Sequence, residues 1–487
     1  MLKNRADVSS EKAQVTIPVL RQGMRRIHHI HMVGIGGSGM SGIAEVLHTL
    51  GYRVTGSDIA SNAMTERLSA LGVTIYPSHQ AEQVLGADVV VTSTIITDTN
   101  PEVIAAKEKR IPVVPRAMML SELMRFKYGI AIAGAHGKTT TTSLTASVLA
   151  EGGYDPTFVI GGKLNALGCH AKMGAGQYFV AEADESDASF LYLSPMMIVL
   201  TNIDADHLEA YGQDYDRLKA TYLQFLHRLP FYGVAIVCID NEDSRALLTQ
   251  LQRPYITYGF HEDADFQVLN YRQIGIRSEF TVRAKKQNSI WDFSLNLPGE
   301  HNALNATAAL IVAIEQGVKL PAIQKALAQF EGVGRRFQLL GALSLPTAGT
   351  ALLIDDYGHH PNEIATTIKS ARAGWADKRL VMVYQPHRYT RLKDLFSEFA
   401  QVLSTVDALL LLDVYTAGES PIPGVSTRLL ADAIQAMSPS CTVQLVSKET
   451  LKEALKHQLQ SDDIVLMQGA GDIYRLSSML LQTGLQS

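Results

Sequence analysis

Short runs of apolar residues alternate along the chain with segments whose apolar positions recur every three or four residues. This is the pattern of parallel strands buried on both faces and covered by helices. The strands HIHMV (29–33), YRVTG (52–56) and DVVVTS (88–93) outline a first unit. A second unit begins at YGIAIAG (128–134) and continues through QYFVAEA (177–183), MMIVLTNI (196–203) and GVAIVCID (233–240). Between 263 and 297 polar and apolar residues alternate singly, which predicts an antiparallel appendage. The helical stretch HNALNATAALIVAIEQG (301–317) closes this unit, and EGVGRRF (331–337) reads as a glycine-rich hinge. A third unit carries ALLIDD (351–356), RLVMVYQ (379–385), ALLLLDV (408–414) and DIVLMQG (463–469). The expected fold class is α/β in three domains: a tail at 1–26, then 27–116, 117–333 and 334–487.

The 487-residue length agrees with about three domains. Lys and Arg number 43 against 48 Asp and Glu, a net charge of −5 that offers no general attraction to nucleic acid phosphates. Three dispersed cysteines, Cys169, Cys238 and Cys441, make neither a disulfide framework nor a thiolate zinc site. The first twelve residues lack the apolar region of a signal peptide. The uncharged stretch 337–354 is broken by Gly341, Pro346 and Gly349, so it reads as strands joined by a turn, not as a membrane span. These features predict a soluble cytoplasmic protein.

Two glycine loops carry the first chemistry. Gly34-Ile-Gly36-Gly37-Ser38-Gly39 follows the first strand and opens a helix, with Asp58 about 20 residues on. Backbone amides at such a turn approach a pyrophosphate closely because no side chain intervenes. A nicotinamide dehydrogenase is one reading, but any nucleotide diphosphate satisfies the loop. The second loop, Gly134-Ala135-His136-Gly137-Lys138-Thr139-Thr140, also joins a strand to a helix. Its amides surround phosphate oxygens, Lys138 neutralises their charge, and the Thr139 hydroxyl suits Mg²⁺. It is a shortened phosphate loop, since Ile132 stands where the longer pattern has glycine. A dehydrogenase has no use for a second phosphate site with a lysine, which shifts the reading to ATP chemistry on a nucleotide-linked substrate.

Acidic and basic clusters follow at strand ends, where α/β sites assemble. Glu182, Asp184, Glu185 and Asp187 offer hard oxygen ligands for Mg²⁺, and Asp204, Asp206 and His207 follow the next strand. In the third unit Asp356, Tyr357, His359 and His360 follow one strand; His387, Arg388 and Arg391 follow another. Two guanidinium groups three residues apart suit a small carboxylate or, equally, surface ion pairs. His28, His29 and His31 read as strand-end residues, not as a metal site.

Together GIGGSGMSG, GAHGKTTTT, AEADESDASF, TNIDADH, GEHNALNA, GRRF, DDYGHHP and QPHRYTR span nearly the whole chain, and with them it resembles the Mur ligase family. The last two are most specific for its alanine-adding branch. The resemblance implies a Rossmann-like UDP-binding domain, a central P-loop ATPase-type domain and a C-terminal Rossmann-like domain. It implies ATP-dependent joining of L-alanine to the carboxylate of UDP-N-acetylmuramate through an acyl phosphate, with ATP and two Mg²⁺ ions, in peptidoglycan precursor synthesis. A homodimer stays open.

By motif, Gly36, Gly37, Ser38 and Gly39 meet the UDP phosphates, and Ser57, Asp58, His79 and Ser93 line the uridine and sugar side. Gly134 to Thr140 hold ATP, with Lys138 on the γ-phosphate. Thr139, Glu182 and His207 ligate the metal. Asn302 and Asn305 match adenine-contacting positions, while Arg336 and Asp356 reach ATP from across the hinge. Tyr357, His359, His387, Arg388 and Arg391 surround the amino acid, and His359 or His360 assists deprotonation of its amine. Ala135 departs from the family's usual GTHGKTT, at a loop that works through backbone amides. Lys219 lies near the position of a carbamylated lysine in other members and is not assigned that role. The alternatives are a ligase attaching a recycled murein peptide to the same sugar nucleotide, a nicotinamide oxidoreductase, and an inactive nucleotide-binding regulator.

Overall fold

The computed structural model describes residues 23–93, 95–165, 169–206, 208–346 and 348–485. Most of the expected N-terminal tail lies outside them, as does His207. Three sheets account for the three expected units.

In the first unit, strands β1 (His29–Val33), β2 (Arg53–Ser57), β3 (Thr74–Tyr76), β4 (Val89–Thr92) and β5 (Val113–Pro115) form a parallel sheet of order β3-β2-β1-β4-β5. Helices α1 (Ser38–Thr49), α2 (Ala63–Ala70), α3 (Pro101–Glu108) and α4 (Arg116–Met124) connect or follow them. The order reverses between β1 and β4, so the glycine loop after β1 opens into the crevice at the switch point.

The middle sheet has ten strands. It contains β6 (Tyr128–Ala133), β7 (Thr157–Leu164), β8 (Cys169–Lys172), β9 (Tyr178–Glu182), β10 (Met197–Leu200), β11 (Val234–Cys238) and β12 (Tyr255–Gly259). The antiparallel β13 (Phe266–Ile274), β14 (Arg277–Ala284) and β15 (Ser289–Leu295) are the expected appendage, but they continue the sheet through a short pairing of β12 with β13. Strand β6 is central, with β10 on one side and β9 on the other, so the loop that follows it emerges mid-sheet. Helices α5 (Lys138–Glu151), α6 (Tyr215–Leu226), α7 (Glu242–Leu247), α8 (Glu300–Glu315) and α9 (Leu320–Ala328) complete the unit.

The third sheet runs β16-β17-β21-β18-β19-β20. Its strands are β16 (Gln338–Ser344), β17 (Thr350–Asp356), β18 (Leu380–Tyr384), β19 (Ala408–Leu411), β20 (Thr442–Leu445) and β21 (Ile464–Gln468). The stretch 337–354 is the antiparallel β16–β17 hairpin, as its glycines and proline imply. Helices α10 (Pro361–Gly374) and α11 (Tyr389–Asp394) start just beyond β17 and β18.

The first two units share a core. Ile43 and Leu47 of α1 join Val159, Ala171 and Ala181 of the middle sheet in one buried cluster. Gly42 makes the approach close: a Cβ there would lie 3.2 Å from that of Ala171. The opposite face of the middle sheet packs Ile130, Ile132 and Val199 against α5 and α8. The C-terminal unit has two cores of its own, and it meets the middle unit through polar contacts of Ser370, Asn362 and Lys369 with Gln273, Asp204 and Glu300. Among the described residues no helix is long and apolar enough to cross a membrane.

Within the first sheet, Gly56 allows β2 to pack beneath Ile35, since a Cβ would lie 2.5 Å from the Met32 carbonyl and 2.9 Å from the Ile35 Cβ. Backbone cannot retreat from such a clash. Gly56→Ala should therefore destabilise the protein by ~1–3 kcal/mol, measurable by denaturant unfolding; unchanged stability would show that the sheet absorbs the methyl group.

Candidate active site

The loop after β6 is shaped by two glycines that no other residue can replace. Gly134 has φ +128°, and a Cβ would sit 2.1 Å from Thr201 Oγ1. Gly137 has φ +84° and is backed by Asn305, whose Oδ1 would be 2.7 Å from the added carbon. Asn202 and Thr201 fix the turn between them: the His136 amide donates to Asn202 Oδ1 at 2.8 Å, and the Thr201 hydroxyl donates to the His136 carbonyl at 2.6 Å. The loop ends at Lys138, the first residue of α5, so free amides and the positive end of the helix dipole point outward there.

This helix start separates two cavities. Thr139 and Thr140 line a cavity of about 240 Å³ together with His136, Gly137, Asn302, Asn305, Arg336 and Asp356. Its walls come from the middle and C-terminal units. Lys138 faces a second cavity of about 580 Å³, lined also by Gly39, Glu182, Asp184, Glu185, Tyr357, His359, His387, Arg388 and Arg391. All three units contribute to it. Most residues expected at ATP line the smaller cavity and those expected at the amino acid line the larger, with Lys138 on the larger side next to Thr139 on the smaller.

Lys138 Nζ donates to the carbonyls of Gly134 at 2.6 Å and Ala135 at 3.0 Å, and to Glu185 Oε1 at 2.7 Å. Burial alone would lower its pKa, but Glu185, Asp184 and Glu182 outweigh that and raise it, so the ammonium stays charged. Glu182 accepts the Gly161 amide at 2.7 Å, and burial raises its carboxyl. Glu185 Oε2 is buried without a hydrogen-bond partner among the described residues. A carboxylate cluster with an unused oxygen, beside the Thr139 hydroxyl, fits a hard divalent cation. Thr139 and Glu182, expected as metal ligands, lie close enough for Thr139 to favour the ionised form of Glu182.

In the smaller cavity, Asp356 accepts the amides of Phe337 at 2.8 Å and Gly358 at 2.7 Å, while burial pushes it up to about 6. Asn305 donates to Asn302, which is anchored on the Pro298 carbonyl. In the larger one, Arg388 is the N-cap of α11 and Arg391 lies in it, so both guanidinium groups face the same space. Arg388 holds φ +71° and ψ +139°, a conformation costly for a non-glycine residue, and its amide is tied to the Tyr415 carbonyl at 2.9 Å. Burial lowers both His359 and His387 to about 4, so both imidazoles are neutral.

The glycine loop of the first unit is anchored from behind. The Gly34 and Ile35 amides donate to the Ser57 carbonyl, and the Gly36 amide donates to Asp58 Oδ2 at 2.8 Å. Asp58, expected to meet a ribose or base, thus holds the loop itself. Ser57, His79 and Ser93 cluster at the same sheet edge, with Ser57 Oγ 2.9 Å from His79 Nδ1 and the Ser93 amide on the Val33 carbonyl. Gly36 and Gly37 precede α1, and Ser38 opens it. Only Gly39 of this loop reaches the larger cavity, where Arg116 crosses to Asp184 at 2.8 Å.

Sequence reading did not assign Arg116, Glu363 or His301, and named Glu185 only within the acidic cluster. Glu363 had a local sign, an acid three residues after the helix cap His360, and it forms that capping box. Arg116 had none. His29 begins β1, as expected of a strand-end residue, whereas His31 lies at its middle, and both are buried. Lys219 is held by Asp216 at 2.8 Å and Asp243 at 3.6 Å, outside both cavities.

Family models describe all three units: the Mur ligase family catalytic domain matches residues 29–128, the Mur ligase middle domain 132–313, and the Mur ligase glutamate ligase domain 335–471. The chain belongs to the Mur ligase family. Among curated relatives of this Mur ligase, a UDP-N-acetylmuramate–L-alanine ligase of Neisseria meningitidis serogroup A is 55% identical over 464 residues, 95% of this chain and 99% of the relative. The crystal structure of a UDP-N-acetylmuramate–alanine ligase from Thermotoga maritima superposes with a TM-score of 0.79 at 27% identity, over 93% of this chain and 98% of that one. A murein peptide ligase from Psychrobacter arcticus shares the fold, with a TM-score of 0.69 at 24% identity over 94% and 99% of the two chains.

A polar clasp joins the phosphate loop of this Mur ligase to the C-terminal unit. His136 Nε2 lies 2.8 Å from Asp204 Oδ2, His136 Nδ1 lies 3.7 Å from Glu363, and Asn362 donates to Asp204 at 2.7 Å. Burial opposes the charge on His136, yet the two carboxylates raise its pKa to about 9. A raised folded value means that the clasp contributes fully below the unfolded value of about 6.5 and is lost as pH rises through about 9. Melting temperatures of the wild type and His136→Gln should differ most near pH 6 and converge above pH ~9; a constant gap across this range would mean that the charge does not hold the clasp.

Proposed function

We propose that this Mur ligase joins L-alanine to the carboxylate of UDP-N-acetylmuramate at the expense of ATP, giving ADP and phosphate in peptidoglycan precursor synthesis. The observation that carries the mechanism is Lys138 standing between the cavity beside the phosphate loop and a chamber built by all three units. A carboxylate is a poor electrophile toward an amine. Attack of its oxygen on the γ-phosphorus of ATP, with ADP leaving, makes an acyl phosphate whose phosphate is a good leaving group. The alanine amine then adds to the carbonyl carbon, and the tetrahedral intermediate expels phosphate.

Each group has a place in this scheme. ATP occupies the smaller cavity, its adenine side toward Asn302 and Asn305, with Arg336 and Asp356 reaching it from the C-terminal unit. Its γ-phosphate meets Lys138, whose charge opposes the negative charge of the transferred phosphoryl group. Thr139 and Glu182, with His207, would hold Mg²⁺, which supplies further charge neutralisation at the phosphates. The UDP phosphates lie on the amides of 36–39 and the lactyl carboxylate enters the larger chamber past Gly39. Arg388 and Arg391 take the alanine carboxylate, the main handle on so small a molecule. His359 is neutral and can accept a hydrogen bond from the amine, although an imidazole near 4 is a weak base.

A dehydrogenase reading has no role for the Lys138 loop. The direct experiment is phosphate release with UDP-N-acetylmuramate, with and without L-alanine, and with a murein tripeptide as competing acceptor. Alanine-dependent release supports the proposal, and tripeptide preference would move the chain to the murein peptide branch.

Two substitutions test the assignments. Lys138→Ala should leave UDP-sugar binding intact and cut turnover by at least ~10²-fold; near-normal turnover would remove Lys138 from the phosphoryl step. Arg388→Lys keeps the charge and loses the planar fork, so the KM for alanine should rise on the order of tenfold or more for ~1.5–3 kcal/mol of charged hydrogen bonding. Acyl-phosphate formation without alanine should change much less. If instead that first step collapses while the alanine KM holds, Arg388 belongs to the phosphate site.

A further inference from the structure

Behind the glycine loop of the first unit lies a buried polar network that the proposed reaction does not use. Glu102, in the first turn of α3, has a fully buried side chain, as does His31 at the middle of β1, and their side chains meet at 2.9 Å. The other carboxylate oxygen of Glu102 accepts the Ser57 hydroxyl at 2.7 Å and lies 2.8 Å from His79 Nδ1. On its far side His31 Nδ1 is 2.8 Å from Thr55 Oγ1, which is 2.8 Å from His29 Nε2, and His29 Nδ1 is 2.9 Å from the Gly86 carbonyl.

Proton counting orients this network. The path from the Gly86 carbonyl to the Glu102 carboxylate has four hydrogen bonds: to His29, to Thr55, to His31 and to Glu102. Both ends only accept. Neutral His29, Thr55 and neutral His31 supply three protons, so one more must reside on the path. Burial holds His29 toward the neutral form. Burial would also raise Glu102, but the hydrogen bonds from His31, Ser57 and His79 outweigh it and lower its pKa. Glu102 is therefore the ionised acceptor at its end of the path.

An ionised carboxylate cannot donate, so His79 must present Nδ1–H to it. We infer that Glu102 is a positioning residue for the sugar-nucleotide site: it locks His79 with the proton on Nδ1, leaving Nε2 as an acceptor, and it fixes Ser57, whose carbonyl holds the amides of Gly34 and Ile35. His79 keeps 19% of its side chain exposed at the sheet edge while Glu102 is fully covered. The site then takes a ligand group that donates a hydrogen bond at this point, as a uracil imide or a sugar hydroxyl does. Glu102 acts through His79 and Ser57 and touches no substrate. This rests on the reading of Ser57 and His79 as part of the sugar-nucleotide site.

The test compares His79→Ala, Glu102→Gln and Glu102→Asp for UDP-N-acetylmuramate KM, ATP KM and kcat, together with the ring ¹⁵N shifts of His79 in the labelled wild type. His79→Ala and Glu102→Gln should each raise the sugar-nucleotide KM by about tenfold, with ATP KM and kcat little changed. Glu102→Asp, which keeps the charge, should recover part of the loss. The ¹⁵N shifts should show Nδ1 protonated and Nε2 bare. A sugar-nucleotide KM that responds to His79→Ala but not to Glu102→Gln overturns the role of Glu102 and leaves the site reading intact. No response to His79→Ala removes His79 from the site, and the inference with it. Should Glu102→Gln not fold, the wild-type ¹⁵N spectrum decides: a bare Nδ1 overturns the inference.

Discussion

The ammonium of Lys138 at the start of α5 is the point on which the remaining geometry depends. It is largely buried, charged, and held by two loop carbonyls and Glu185. A buried cation is tolerable only where several oxygens face it. Those oxygens come from a loop made possible by two positive-φ glycines and from the acidic run after β9. That run lies beside the loop because β9 pairs in parallel with β6 at the centre of the middle sheet. The two cavities then follow as the spaces on either side of one helix terminus.

The other two units are joined to this centre by different physics. The first unit shares an apolar core with the middle sheet through α1, so its position is set by close packing around Gly42. The C-terminal unit meets the middle one through charged and amide groups, His136, Asp204, Asn362, Glu363, Glu300 and Lys369. Polar contacts exchange with water at little net cost, whereas an apolar core does not. The chain between them carries positive φ at Arg335 and Phe337. This contrast suits the proposed reaction, in which the C-terminal unit would bring the amino acid and then release product.

Charge is handled unequally across the molecule. Around Lys138 the acids outnumber the bases, and Glu185 keeps one oxygen free. Around Arg388 and Arg391 the nearby imidazoles are neutral, so the guanidinium groups face the chamber without a matching carboxylate in direct contact among the described residues. In the first unit the Glu102 carboxylate is fully buried among His31, Ser57 and His79. The first two arrangements can bind a ligand of opposite charge, and the third can only hold its neighbours in place.

What the sequence alone determined were features whose chemistry is local. A phosphate loop needs glycine where φ is positive, then lysine at the helix start, so GAHGKTT was legible without any partner. The alternation between apolar runs and helical segments gave three α/β units, because a strand buried on both faces admits little else. Acids and arginines at strand ends were legible because parallel sheets place those ends together. Tertiary structure alone decided which groups face one another. Arg116 meets Asp184 across 68 residues, Glu102 meets His31 across 71, and Asn362 meets Asp204 across 158. The hold of Asp58 on the Gly36 amide, and the place of His31 at the middle of β1, went unread for the same reason. A polar side chain satisfies whichever partner the fold brings within about 3 Å, and no periodicity in the chain records that choice.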